Sequence, residues 1–240
     1  MPKSKRSKIV HLTKVQKKDK DQKTLLYTSI REAVDTYARI FIFSVAHMRN
    51  TFLKDVRQHF SDSRIFFGKT KVMAKALGMS EAEEAAPGLA KLAGLVDGSV
   101  GLLLTDRTKE EVRGFCEGFA EMDFARAGVR ATREVTVPGG VVMSRVGEVP
   151  VEDDVAVPHS LEVTLRKWGM PTRLDKGKVM LDQEWTLCKE GEVLNSHQTA
   201  LLKVFGITMV EFKVRIKAVW DKETEEVEEF EDEDAVMEEG

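Results

Sequence analysis

Cysteine is nearly absent from this chain of 240 residues: Cys116 and Cys188 lie far apart, and neither stands in a C-x-x-C or Cys/His ligand spacing. That scarcity excludes a disulfide-built scaffold and fits reduced thiols in a reducing compartment. The five histidines, His11, His47, His59, His159 and His197, form no ligand pair at i, i+3 or i, i+4, so no metal site is expected. Long apolar runs are missing too. Stretches such as Ile40 to Phe43 are far too short to span a bilayer, and the first residues lack the apolar core of a secretory signal, so a soluble, non-secreted protein with no membrane partner is expected. No Ser/His/Asp arrangement stands out, and the carboxylates crowded near the C-terminus lack the apolar surroundings that tune a pKa for catalysis. Gly68-Lys69-Thr70 resembles the end of a phosphate-binding loop, but the spacing puts Ser63 where the first glycine belongs. Arg64 to Phe67 reads as strand, and Asp106 is the only loose candidate for a magnesium-binding acid. The expectation is a protein that is not an enzyme and carries no cofactor.

What the chain does have is charge, unevenly placed. The formal net charge is −3, yet residues 1–23 hold nine Lys/Arg against two Asp, and residues 221–240 hold twelve Asp/Glu against one Lys. Asymmetry of this kind points to a nucleic-acid arm at one end and an acidic tail at the other. The arm has few apolar residues, too few to fold by itself.

Between the arms the hydrophobic pattern alternates. Leu26, Ile30, Val34 and Tyr37 have helical spacing, and Ile40 to Val45 is a nearly continuous apolar run of the sort found in a parallel strand covered on both faces. Helices over 49–60, 71–77, 87–96 and 109–120 alternate with strands over 64–67 and 100–105, and Thr108 with Glu111 makes a capping box for the last helix. This predicts an α/β sandwich. After Ala120, Pro and Gly punctuate short β-prone pieces, with a short helix over 161–168 and strands over 178–180 and 185–187. A helix over 198–205 precedes the cleanest alternation in the chain, Val210, Phe212, Val214, Ile216, Ala218 and Trp220. So long a strand needs a sheet, which predicts a return to the first one. The expected organisation is a basic extension over 1–23, the α/β domain over 24–134, a smaller inserted α+β domain over 135–198, a returning helix and strand over 199–220, and a flexible acidic tail over 221–240.

Two basic helix starts follow two buried strands. Asn50, Lys54 and Arg57 fall at i, i+4 and i+7, opposite the apolar Phe52/Val56 face, with Arg49 just before them. Lys69, Thr70, Lys71 and Lys75 occupy the next helix start, and adjacent parallel strands would bring the two clusters together. Helix N-termini at the strand-to-helix edge of a sheet present free N–H groups to anions. Basic residues crowding that edge without a catalytic acid suit a polyphosphate, meaning nucleic acid. Lys3, Lys5, Arg6 and Lys8 extend the same character into the N-terminal arm.

The block Phe67-Gly68-Lys69-Thr70-Lys71-Val72-Met73-Ala74-Lys75-Ala76-Leu77 resembles the RNA-binding block of the large-subunit stalk-base protein, P-zero in eukaryotes, of the universal ribosomal protein uL10 family. Met1 to Lys8, Leu12 to Val15, Leu201 to Ile207 and Glu211 to Val214 resemble the mRNA turnover protein four family of ribosome assembly factors, paralogues of that protein. The resemblance implies a factor that binds the stalk-base region of large-subunit rRNA in nuclear and nucleolar pre-60S particles. There it would act as a placeholder later exchanged for the stalk-base protein, with neighbouring ribosomal proteins and a release factor as partners and with shuttling to the cytoplasm as an extension. Arg49, Asn50, Lys54, Lys69, Thr70, Lys71 and Lys75 match the RNA-facing block, although Thr70-Lys71 stands where stalk proteins commonly have Asn-Thr. Two alternatives are the mature stalk-base protein, expected to carry long helices and an Ala/Gly-rich hinge after the globular part, and an mRNA-decay cofactor.

Overall fold

The computed structural model describes residues 20–146, 148–150 and 152–230. In chain order the elements are α1 (Lys20–Thr36), β1 (Arg39–Ala46), α2 (Asn50–His59), β2 (Arg64–Phe66), α3 (Thr70–Leu77), α4 (Leu89–Gly94), β3 (Val100–Thr105), α5 (Lys109–Gly118) and β4 (Ala120–Asp123). They are followed by β5 (Val135–Val137), β6 (Gly140–Val141), a 3-10 turn (His159–Leu161), α6 (Glu162–Lys167), β7 (Thr172–Asp175), β8 (Lys178–Leu181), β9 (Trp185–Cys188), α7 (Ser196–Val204), β10 (Val210–Asp221) and β11 (Val227–Glu229). Two compact bodies result, one from the described residues up to Ser44, His59–Glu111 and Ile216 onward, the other from Val45–Gln58 and Val112–Arg215.

In the first body the strand order is β11-β10-β1-β3-β2. β1 pairs antiparallel with β3, from Arg39 opposite Thr105 to Ser44 opposite Val100, and β2 is antiparallel to β3 as well. The expected parallel neighbours are therefore replaced by antiparallel ones, with β3 between β1 and β2. The apolar run came from burial on both faces, which does not depend on strand direction. Ile40, Ile42, Leu102 and Leu104 enter a core closed by Ile30 and Val34 of α1, Met73 and Leu77 of α3 and Leu92 of α4. Phe41, Phe43 and Leu103, on the opposite face of the strands, are buried too. Gly101 is dictated by aromatic packing: a Cβ there would lie 2.7 Å from the Phe43 ring and 2.8 Å from the Phe67 ring, which meet edge to face with centroids 5.2 Å apart.

The long strand does join this sheet. The Lys222 N–H donates to the Ala38 carbonyl at 2.9 Å, so the end of β10 lies at the start of β1. Trp220 is fully buried and donates its indole N–H to the Pro87 carbonyl at 3.0 Å. The acidic segment, expected as a tail from Asp221, is structured through Phe230. Val227–Glu229 pairs with Ala218–Trp220, Asp221 receives Arg39 at 2.7 Å, and Glu228 meets Lys109 at 3.0 Å. Gly88, with φ +82, lies so close to this segment that a Cβ would come 2.3 Å from the Glu225 carbonyl oxygen. Cations on facing elements, invisible to local composition, hold the segment down. Residues 231–240 lie outside the described residues.

The second body has its own core, from Ala125 through Val179, Leu181 and Leu187 to Val210, around two small sheets, β5-β9 and β6-β8-β7. α7, expected to return with β10, instead places Leu201 and Leu202 in this core, and Phe205, its C-cap, is buried there too. Its start is fixed by a capping box: the Asn195 side chain accepts the N–H groups of His197 and Gln198, and the Gln198 side chain accepts the Asn195 N–H. Both thiols are buried. Burial, aided by the neighbouring Glu117 charge, pushes the Cys116 thiol up to about 12, and burial raises Cys188 as well. Because the thiolate is the nucleophile, neither should react with a maleimide at pH 7.5 in the native protein, and two thiols should label on denaturation. Rapid native labelling of Cys116 would mean that α5 opens readily.

Candidate nucleic-acid interface

The turn after β1 passes through His47, whose φ of +48 is left-handed. It enters α2, where the Leu53 N–H bonds the Arg49 carbonyl at 3.0 Å. Leu53 and Val56 are buried, and Phe52 packs its ring on Phe212 at 5.4 Å. Asn50, Lys54 and Arg57 are left exposed, as their spacing predicts. Arg49 differs: its guanidinium is only partly exposed and is engaged by the Asp123 carboxylate and, at 2.8 Å, by the Phe124 carbonyl.

In α3, Met73, Ala74, Ala76 and Leu77 are buried, while Lys69, Lys71 and Lys75 are exposed and Thr70 is half-buried. Lys69 is the N-cap and offers no side-chain acceptor, so the first amides keep their positive end facing outward. Neither α2 nor α3 has an acidic residue in its first turn. α5 does the opposite: Glu110 and Glu111 sit in its first turn, and the expected Thr108/Glu111 capping box forms through bonds of 3.0 and 3.3 Å. A lysine beside a helix N-terminus is opposed by the macrodipole at a cost of about 0.3–1 kcal/mol. Lys69 and Lys71 therefore do not serve the helix, and their charge adds to its dipole as an anion-attracting surface.

β1 and β2 both run against β3, so Ser44 and Phe66, their last paired residues, stand beside Val100 and Leu102 at one end of the sheet. That shared direction survives even though the strands are not neighbours. Lys3, Lys5, Arg6 and Lys8 lie outside the described residues. Sequence reasoning missed Arg126, whose Nη2 donates to the Met48 carbonyl at 2.7 Å in the turn before α2. A lone arginine in a loop carries no periodic signal. It also missed Arg107, which joins Asp62 at 2.9 Å and covers the Phe60 ring at 4.8 Å, a structural hub that holds the Asp62 carboxyl below its ordinary range. Among the described residues no group of acids, histidines or cysteines is placed to hold a metal, and no helix is long and apolar enough to cross a membrane.

Residues 18–121 match the family described as Ribosomal protein L10, and residues 125–207 match the insertion domain described for the 60S ribosomal protein of that family. The chain is 49% identical to ribosome assembly factor mrt4 of Neurospora crassa, over 96% of this chain and 94% of that one. It belongs to the Mrt4 family. The Mrt4 factors of Schizosaccharomyces pombe and Saccharomyces cerevisiae are 47% and 38% identical, each over 95% of this chain and 95% and 97% of their own lengths. By contrast, large ribosomal subunit protein uL10x of Arabidopsis thaliana is 24% identical, and the match covers 60% of its length. In this Mrt4 family member α2 and α3 lie in the L10 portion. The insertion match starts earlier and ends later than the expected 135–198, in line with the second core. Backbone bonds explain the wider limits: Gly128 and Ala131 donate to Leu194 and Glu192 at 2.8 Å each, closing the neck of the insertion.

Proposed function

We propose that this chain is an assembly factor of the large ribosomal subunit that binds stalk-base rRNA and holds that site until the stalk-base protein replaces it. What carries the reading is its membership of a family whose members are named ribosome assembly factors, together with a weaker likeness to a protein named for the large subunit itself. In this reading the two paralogues, which share the L10 domain, compete for one RNA site. Asn50, Lys54 and Arg57 of α2, the N-cap Lys69, and Thr70, Lys71 and Lys75 of α3 are the phosphate contacts in this proposal, with Lys3, Lys5, Arg6 and Lys8 adding contacts from the N-terminal arm. Pre-60S particles, neighbouring ribosomal proteins and a release factor are the partners, and the nucleolus and nucleus are the places of action, with passage to the cytoplasm on those particles.

Competition is the test. Purified stalk-base protein added to a complex of this protein with a stalk-base rRNA fragment should displace it in proportion to concentration and affinity. A ternary complex found by mass photometry would refute the placeholder mechanism. Preferential crosslinking to mRNA in cells would favour a decay cofactor instead.

A further inference from the structure

Two arginines reach in opposite directions across the turn that opens α2. From the α2 side, Arg49 gives its Nε–H to the Asp123 carboxylate and an Nη2–H to the Phe124 carbonyl at 2.8 Å. From the other side, Arg126 gives an Nη2–H to the Met48 carbonyl at 2.7 Å. Asp123 is the last residue of β4 and is itself fixed, since its carboxylate accepts the Phe124 N–H at 2.7 Å. Arg126 is the second residue of the stretch that matches the insertion domain. The turn so held includes His47, one of three non-glycine residues with positive φ among those described, a conformation that persists only where neighbours over-determine it.

We infer that Arg49, Asp123 and Arg126 form a positioning clamp through which the neck of the inserted domain sets the entry into α2, and that Arg49 is not itself a phosphate contact. The inference rests on the RNA-binding reading for its consequence, though not for its geometry. An arginine serving a phosphate would point its fork into solvent. Here the fork is occupied by a carboxylate and a carbonyl at once, a planar double acceptance that lysine cannot reproduce. Turning Arg49 to a phosphate would leave the Asp123 side chain, 14% exposed, without its counter-charge. The basic face that follows, Asn50, Lys54 and Arg57, depends on where the helix starts, so the clamp places the contacts without making one.

The full-length protein, titrated with a stalk-base rRNA fragment over a range of salt, separates the two roles. R49Q and D123N should each weaken binding about five- to twentyfold with the salt slope unchanged, the double variant should be no worse than either, and R49K should not rescue. D123N decides the matter because it removes a negative charge. If Arg49 were a phosphate contact, D123N would leave binding equal or tighter, R49K would restore it, and R49Q would lower the slope by about 0.7–0.9. Those results would overturn the clamp. Hydrogen exchange without RNA gives an independent readout: the Leu53 amide, bonded to the Arg49 carbonyl, should exchange faster in R49Q, D123N and R126Q, while the amides of α3 stay protected. Unchanged exchange at Leu53 in all three would sink the clamp whatever the RNA result. Loss of the RNA-binding reading would show differently, as no effect on affinity from K54Q or from charge reversal in α3 alongside altered exchange at Leu53.

Discussion

Exchanging Lys69 and Lys71 for glutamate should weaken binding to a stalk-base rRNA fragment by roughly one to two orders of magnitude near physiological salt. The slope of log K against log salt should fall by about 1.5, because each phosphate contact contributes about 0.7–0.9. The same change should leave the protein as stable as before or more so. A carboxylate at a helix N-terminus gains what a lysine there loses, about 0.3–1 kcal/mol per site, and both side chains are exposed. Opposite signs for binding and stability make the result unambiguous. Fluorescence anisotropy at several potassium chloride concentrations, together with a thermal melt, measures both, and unchanged affinity in a folded double variant would remove α3 from the interface.

Replacing Trp220 with alanine should cost about 3–5 kcal/mol, the usual range for deleting a large buried aromatic. Trp220 is 0% exposed in the first core, and its loss would also orphan the Pro87 carbonyl. Against a total stability of about 5–15 kcal/mol, such a loss leaves the fold marginal. Phenylalanine keeps most of the buried surface and loses the hydrogen bond, so W220F should cost about 1–2 kcal/mol. Urea denaturation followed by far-ultraviolet circular dichroism resolves the two. A W220A midpoint equal to that of the parent would mean that the sheet does not depend on the end of β10.

Sequence made some elements legible because their signal is local. The Thr108/Glu111 box, the Val210/Phe212/Val214 alternation and the apolar faces of α2 and α3 need only neighbours along the chain, and each is where the pattern put it. The alternation of burial holds only through Val214: Arg215, Ile216 and Lys217 are all half-buried, and from Ala218 onward β10 is buried on both faces. The elements that escaped notice lack such a signal. β4, Ala-Glu-Met-Asp, is almost wholly exposed and holds its place by pairing with Val210–Lys213, and β11 relies on β10 and on distant lysines. The start of α7 was readable, since Asn195 and Gln198 form a capping box, whereas the apolar run alone points to a start two residues later. In the candidate interface, exposure of Asn50, Lys54, Arg57, Lys69, Lys71 and Lys75 followed from helical spacing. The commitment of Arg49 to Asp123, more than seventy residues away, could not.

The position of β10 beside β1 also shapes how the chain is made. β1 spans Arg39–Ala46, and the strand that covers one of its edges ends at Asp221. At roughly 5–20 residues per second of synthesis, that edge waits on the order of ten to thirty-five seconds for its partner. Through that interval an apolar strand with unpaired backbone groups is open to other chains, the situation that folded proteins avoid at their sheet edges. A protein built this way completes its first sheet only once Asp221 has been made, and until then it depends on the company it keeps.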